Sequence, residues 1–196
     1  MPTHNVAGKC KLTEKEIIMS RLYTVAIPEA TGQAAQLFTA IKGAVGMVPN
    51  AYVAVGSNSP LALQAALNLD AALNKSSLSA QEIEVIKLAV SEVAGCDYCL
   101  AAHTMIGAKA GLSRPEILAV RKGQTSGNAR IDALTTFTQT VVGTSGTVPA
   151  DVVAAVQTAG YSDAQIVDTL LAIASITFTN LVNRVNDTVL DFPAAD

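Results

Sequence analysis

Cys96, Cys99 and His103 stand at positions i, i+3 and i+7 of the stretch Cys96-Asp97-Tyr98-Cys99-Leu100-Ala101-Ala102-His103. At 3.6 residues per turn the second and third side chains lie about −60° and −20° from the first, so on a helix all three share one face. Gly95 disfavours a helix interior, and the pattern predicts a new helix that begins at Cys96 or Asp97 and continues through Ala110 to a stop at Gly111. Both sulfurs then occupy its first turn, where unpaired amides and the helix dipole favour a thiolate and lower its pKa. His103 follows Cys99 by one turn. There a neutral imidazole can accept a thiol proton and an imidazolium can hold a thiolate. Glu84 lies on the preceding helix, twelve residues before Cys96. It can share or relay protons with the pair if the chain folds back at Gly95.

This set suits two-electron chemistry on a small solute. Cys99 attacks a peroxide oxygen to form a sulfenic acid, Cys96 condenses with it to give a disulfide, and an external dithiol restores both thiols by exchange. The chemistry requires the groups to lie side by side and within reach of a solute. A CxxC pair also serves metal binding, but structural zinc takes four ligands. Cys10, His4 or a carboxylate would have to supply the rest, and neither Cys10 nor His4 belongs to a ligand-spaced cluster, so no metal and no cofactor are expected. Taken alone, His103 reads as a core histidine bonded to a backbone carbonyl and Glu84 as a solvated residue near Lys87. Tyr98 reads as half-buried packing with its hydroxyl near the pocket.

The elements that must position these residues read as helices throughout, with no run of strand-like alternation, so the fold class is all-α. A helix is expected from about Thr31 to Lys42, broken by Gly43, Gly46 and Pro49. Ser59-Pro60 opens another, through Leu63, Leu67 and Leu73. Ser79 and Glu82 form a capping-box pattern for a helix running to Gly95, and Ser113 with Glu116 repeats it for a short helix ending near Gly123. Asn128 caps a helix through Val141. Ser162 and Gln165 open a long last helix that carries apolar residues to Val189 and stops at Phe192-Pro193. The reading is one domain over residues 1–196, with 1–28 a polar N-terminal arm.

The net charge of −3 and pI of about 5.3 leave no broad basic surface, which disfavours nucleic acid and anionic membrane as partners. Half of the residues are apolar and only 15% are charged, against about 25% in an ordinary soluble domain. That surplus predicts helical faces buried between copies of the chain, a homo-oligomer. The first twenty residues lack the apolar core of a secretory signal, and the uncharged run from Thr169 to Asn183 reads as too short and too rich in Thr and Asn to span a bilayer. A cytoplasmic location follows as the expectation, and there a close cysteine pair is more often catalytic or metal-binding than structural.

Glu84, eleven residues, Cys96, two residues, Cys99, three residues, His103 resembles the signature of the AhpD-like branch of the carboxymuconolactone decarboxylase superfamily. The Val45-Gly46-Met47-Val48-Pro49-Asn50 loop and the helix after Ser59-Pro60 resemble its lead-in, and Asn183-Arg184 resembles a later part. The resemblance implies an all-helical trimer or hexamer, with Cys99 as peroxidatic thiol, Cys96 as its partner, and Glu84 and His103 as a proton relay. The substrates it implies are hydrogen peroxide or small organic hydroperoxides, with a lipoyl- or thioredoxin-like dithiol as reductant. Some relatives have histidine where this chain has Tyr98, and tyrosine cannot exchange a proton near pH 7 as histidine does. Two other readings stay open: a decarboxylase or isomerase of the same superfamily, and a non-enzymatic redox-sensing or metal-binding oligomer.

Overall fold

The computed structural model describes residues 20–195; Cys10, His4 and most of the polar arm lie outside them. After a 3-10 turn at Ile27–Glu29, the chain forms α1 (Gly32–Val45), α2 (Asn50–Asn58), α3 (Pro60–Leu73), α4 (Ala80–Ala94) and α5 (Asp97–Lys109). There follow α6 (Arg114–Lys122), α7 (Ala129–Gly143), α8 (Ala150–Thr158) and α9 (Asp163–Asn186), with no strand among the described residues. The all-α expectation holds. Each cap read from the sequence forms: the boxes at Ser79/Glu82, Ser113/Glu116 and Ser162/Gln165 are all reciprocal, and Ser59 and Asn128 accept amide hydrogens at the heads of α3 and α7. These bonds close within four residues, so local sequence carries them.

Three expectations change. α1 runs through Gly43 and ends at Gly46, whose φ of 85° makes the left-handed cap. Two short helices, α2 and α8, occupy stretches where none was expected. Each begins after a proline with no side-chain cap, so the local signal read as a break. α9 ends at Asn186 with Asp187 left-handed at φ 53°, and the chain from Thr188 onward lies across the body as a C-terminal strap rather than as helix.

α4 is the central element, packed against α5, α6, α7 and α9. Val85, Ile86, Leu88 and Ala89 have 0% exposure, and burying such a valine, leucine or isoleucine contributes roughly 1.5–3 kcal/mol. A second, smaller core joins Leu37, Phe38 and Ile41 of α1 to Val53, Val55 and Leu63 of α2 and α3. α9 spans both. Its Ala172 and Ile176 belong to the main core, while Phe178 and Val182 pack on the smaller one. Contrary to the sequence expectation of a segment too short, α9 is long and apolar enough by length and composition to cross a membrane. Its buried side, however, carries Thr169, Ser175, Asn180, Asn183 and Asn186, a polar stripe that protein neighbours rather than lipid tails must satisfy.

Candidate active site

The chain folds back at Gly95 in the left-handed region (φ 60°, ψ 43°), which ends α4 and lets α5 start at once beside it. Cys96 is the N-cap of α5, and its Sγ accepts the Cys99 N–H at 3.4 Å. Both cysteines are free thiols with the sulfurs 2.8 Å apart, joined by an S–H···S hydrogen bond. A disulfide would need them at about 2.05 Å. Their environments differ in sign. The Cys99 thiol pulls the Cys96 thiol below its ordinary range, against the cost of burial and with help from the Cys99 N–H and the Arg184 guanidinium. Donation to Cys96, burial and the adjacent negative sulfur push Cys99 far up, while Asn183 and Thr179 of α9 pull the other way. The first charge of the pair therefore resides on Cys96.

α4 and α5 also bring Glu84 and His103 together, Oε2 to Nδ1 at 2.8 Å, with Glu84 only 6% exposed. Gly107, one turn beyond His103, packs closely on Leu112: a Cβ there would sit 3.2 Å from the leucine side chain and at ordinary contact distance, 3.7 Å, from the Glu84 Cβ. Among the described residues no hydrogen bond links the imidazole to either sulfur, so the structure holds two adjoining pairs rather than one bonded chain. Any proton passing between them needs an intervening molecule.

Tyr98 is 6% exposed, and its hydroxyl accepts the Ala51 N–H at 3.2 Å and donates to Asp191 Oδ1 at 2.7 Å. Burial, seconded by that carboxylate, pushes its phenol well up. Asp191 Oδ2 accepts the Asn50 N–H at 2.7 Å, and Phe192 meets the Tyr98 ring edge-on at 5.6 Å. The strap is thus latched over the first turn of α5. Cys96 is 1% and Cys99 3% exposed, and neither lines the cavities bounded by Thr104 and Ile117, by Asp132 and Val152, or by Thr24 and Val53. The expectation of thiols within reach of a solute is not met in this conformation: both sulfurs are buried, with Asn183 of α9 against Cys99 and the strap latched on the neighbouring Tyr98.

The sequence reading gave Asn183 and Arg184 only as part of a resemblance, with no role, and missed Ser91, Asn180 and Tyr52. Asn183 Nδ2 donates to Cys99 Sγ at 3.3 Å, Ser91 Oγ donates to Asn180 Oδ1 at 3.2 Å, and Arg184 donates to the Ala94 carbonyl at the end of α4. Tyr52 of the unexpected α2 is hydrogen-bonded to Asp70 and pushed up to about 12, first by burial and then by that carboxylate. Asparagines three apart at 180, 183 and 186 in an otherwise apolar helix were the available signal. Among the described residues no three His, Cys, Asp or Glu side chains gather as a metal site.

Residues 60–136, from α3 into α7, match the model of the carboxymuconolactone decarboxylase family. None of the curated proteins matches the chain by sequence. The fold is similar to an alkylhydroperoxidase AhpD core, an uncharacterized peroxidase-related protein from Ralstonia eutropha, at TM-score 0.79 and 20% identity over 88% of this chain and 93% of that one. It is also similar to a cysteine variant of the debrominase Bmp8 bound to 2,3,4-tribromopyrrole, at 0.74 and 19% over 88% and 92%. A protein of unknown function from Agrobacterium tumefaciens, linked by name to AhpD antioxidant defence, aligns at 0.64 and 24% over 70% and 95%. Residues 60–136, which contain both thiols, Glu84 and His103, are thus similar to the carboxymuconolactone decarboxylase family, within an all-helical fold similar to that of AhpD-like proteins.

Proposed function

We propose that the chain is a thiol-dependent peroxidase and disulfide reductase acting on hydrogen peroxide or small organic hydroperoxides. The observation that carries this reading is the reduced sulfur pair, 2.8 Å apart and joined by one S–H···S hydrogen bond. As a peroxide meets Cys99, that proton passes to Cys96 and the charge it leaves on Cys99 is received by the donors of Asn183 and Thr179. Cys99 Sγ attacks the terminal oxygen: an S–O bond forms, the O–O bond breaks, sulfur gives up two electrons, and the alkoxide takes a proton to leave as alcohol. Cys96 Sγ then displaces the bound oxygen, which leaves as water, and the disulfide closes. The sum is one hydroperoxide and two thiols converted to an alcohol, water and a disulfide. Glu84 orients His103 as the local proton carrier.

An external dithiol of lipoyl or thioredoxin type resets the pair in a reducing cytoplasm. Exchange needs a sulfur exposed to a larger molecule, so the strap must lift in this half of the cycle. A homotrimer or homohexamer is part of the same reading: Val167, Leu170, Leu181 and Val185 lie along one side of α9 at 44–63% exposure, an apolar stripe of the kind that a second subunit covers.

Mass spectrometry of the Cys96–Cys99 peptide before and after peroxide tests the proposal. The wild type should lose two hydrogens, Cys96→Ser should accumulate a sulfenate on Cys99, and Cys99→Ser should stop peroxide consumption. Continued consumption in Cys99→Ser rejects the assignment. The Glu84–His103 pair, unbonded to the thiols, favours one second reading, general acid–base chemistry on a lactone or ring acid; turnover of such a substrate by the double Cys→Ser variant would select it. Loss of bromide from a bromopyrrole without peroxide reduction would move the thiol chemistry to reductive dehalogenation.

A further inference from the structure

α9 buries three asparagines on one side, and they are not equivalent. Asn186, 0% exposed, uses both ends of its amide: Oδ1 accepts the Leu22 N–H at 2.8 Å and Nδ2 donates to Thr188 Oγ1 at 2.9 Å. Asn180 and Asn183, 2% and 4% exposed, each use one end. Asn180 accepts from Ser91 and its Nδ2 has no partner; Asn183 donates to Cys99 Sγ and its Oδ1 has no partner among the described residues. Turning either amide over leaves the same count, one end used and one free.

Asn183 is bonded to Cys99 Sγ, and Asn180 lies one turn earlier on the same buried side of α9. Ser91 is bonded to Asn180 through its hydroxyl, and its carbonyl accepts the Cys96 N–H at 3.0 Å, so Ser91 links Asn180 to the corner that carries Cys96. Residues three apart on a helix are surface neighbours, so the spare N–H donor of Asn180 lies one turn from the spare carbonyl acceptor of the amide that is bonded to Cys99. A buried amide without a partner is unfavourable, and an apolar side chain would pack there without that penalty. The complementary pair matches a group that both donates and accepts through oxygen.

We infer that Asn180 and Asn183 form an oxygen-binding niche for Cys99, holding the O–H of a hydroperoxide during attack and then the S–O–H of the sulfenic acid. The inference rests on the peroxidase reading above. The Asn183 carbonyl accepts the hydroxyl proton, and the Asn180 amide donates to the oxygen on which charge develops. The niche acts while sulfur is oxidised and the O–O bond is reduced; it has nothing to grip in a disulfide, which brings no O–H to the sulfur. It therefore separates the two half-reactions of the pair.

The test measures two rates in each purified full-length variant: sulfenate formation on Cys99 with hydrogen peroxide, in a Cys96→Ser background, and thiol exchange with cystamine in the otherwise unmodified chain. Asn180→Leu should slow the peroxide step by about 10²-fold, the loss seen when a single oxyanion donor is removed, and leave cystamine exchange nearly unchanged; Asn183→Leu, which also removes the donor to Cys99, should slow both reactions, the peroxide step about tenfold more. Asn186→Leu is the control, expected to lower the melting temperature without altering the ratio of the two rates. Asn180→Ser and Asn183→Ser, smaller and still polar, replace any leucine variant whose circular dichroism shows that it has not folded. Equal losses in both reactions, or a peroxide rate as fast as in the parent, would overturn the niche alone. A parent chain inert to peroxide would overturn the peroxidase reading with it.

Discussion

The two thiols share a helix turn and differ only in what donates to each. Cys96 receives hydrogen bonds from the thiol and the amide of Cys99, so its thiolate forms below the ordinary thiol range; Cys99, giving the proton, is held far above it. Reactivity toward iodoacetamide should rise with pH in one wave centred below the normal thiol value, with no second wave at accessible pH. Cys99→Ala removes the thiol donor, and the wave should then move upward, as read from thiolate absorbance in a pH titration. The sign for stability follows. A thiol with a depressed native pKa stabilises the fold fully above its unfolded value, and that share is lost as pH falls through the native value. A wave that stays in place in Cys99→Ala would mean that the helix head alone holds the charge on Cys96.

At the scale of elements, the α4–Gly95–α5 corner and the C-terminal strap do the positioning. No atom would lie within 4 Å of a Cβ at Gly95, so a substitution there meets only backbone strain. Gly95→Ala should cost about 1–2 kcal/mol for the left-handed conformation, measured by urea unfolding, and slow disulfide closure by turning Cys96 away from Cys99. An unchanged midpoint would show that the corner relaxes without penalty. One carboxylate of the strap has two jobs, on the Tyr98 hydroxyl and on the Asn50 amide, and the Val189 carbonyl accepts a further bond from Asn50 Nδ2. Asp191→Ala should accelerate labelling of the pair by a bulky maleimide, about tenfold for each 1.4 kcal/mol of latch removed. If labelling keeps its rate, the sulfurs are reached by another route.

At the scale of the molecule, α4 is shielded by its four helical neighbours and α9 ties the two cores together, so the site lies where both helices meet the head of α5. The other side of α9 keeps Leu181 and Val185 at 61% and 58% exposure, which is costly for a chain that stays alone. Leu181→Glu with Val185→Glu should reduce the sedimenting species to single chains. Retention of the parental mass would place any subunit contact elsewhere.

How much was legible follows from the range of the interactions. Ser79 to Glu82, Ser113 to Glu116 and Ser162 to Gln165 are caps that close within one turn, and Gly95 stops α4 by its own backbone freedom; such features depend only on nearby residues, so the all-helical fold and the CxxC-containing turn could be read directly. The head of α2 is capped instead by Asp191, 141 positions away, and the same carboxylate latches Tyr98 across 93. Asn183 reaches Cys99 across 84. No periodicity or cap pattern encodes those meetings. Tertiary packing alone decided that the thiols are buried, that α9 supplies a donor to Cys99, and that two amides of α9 are left half bonded.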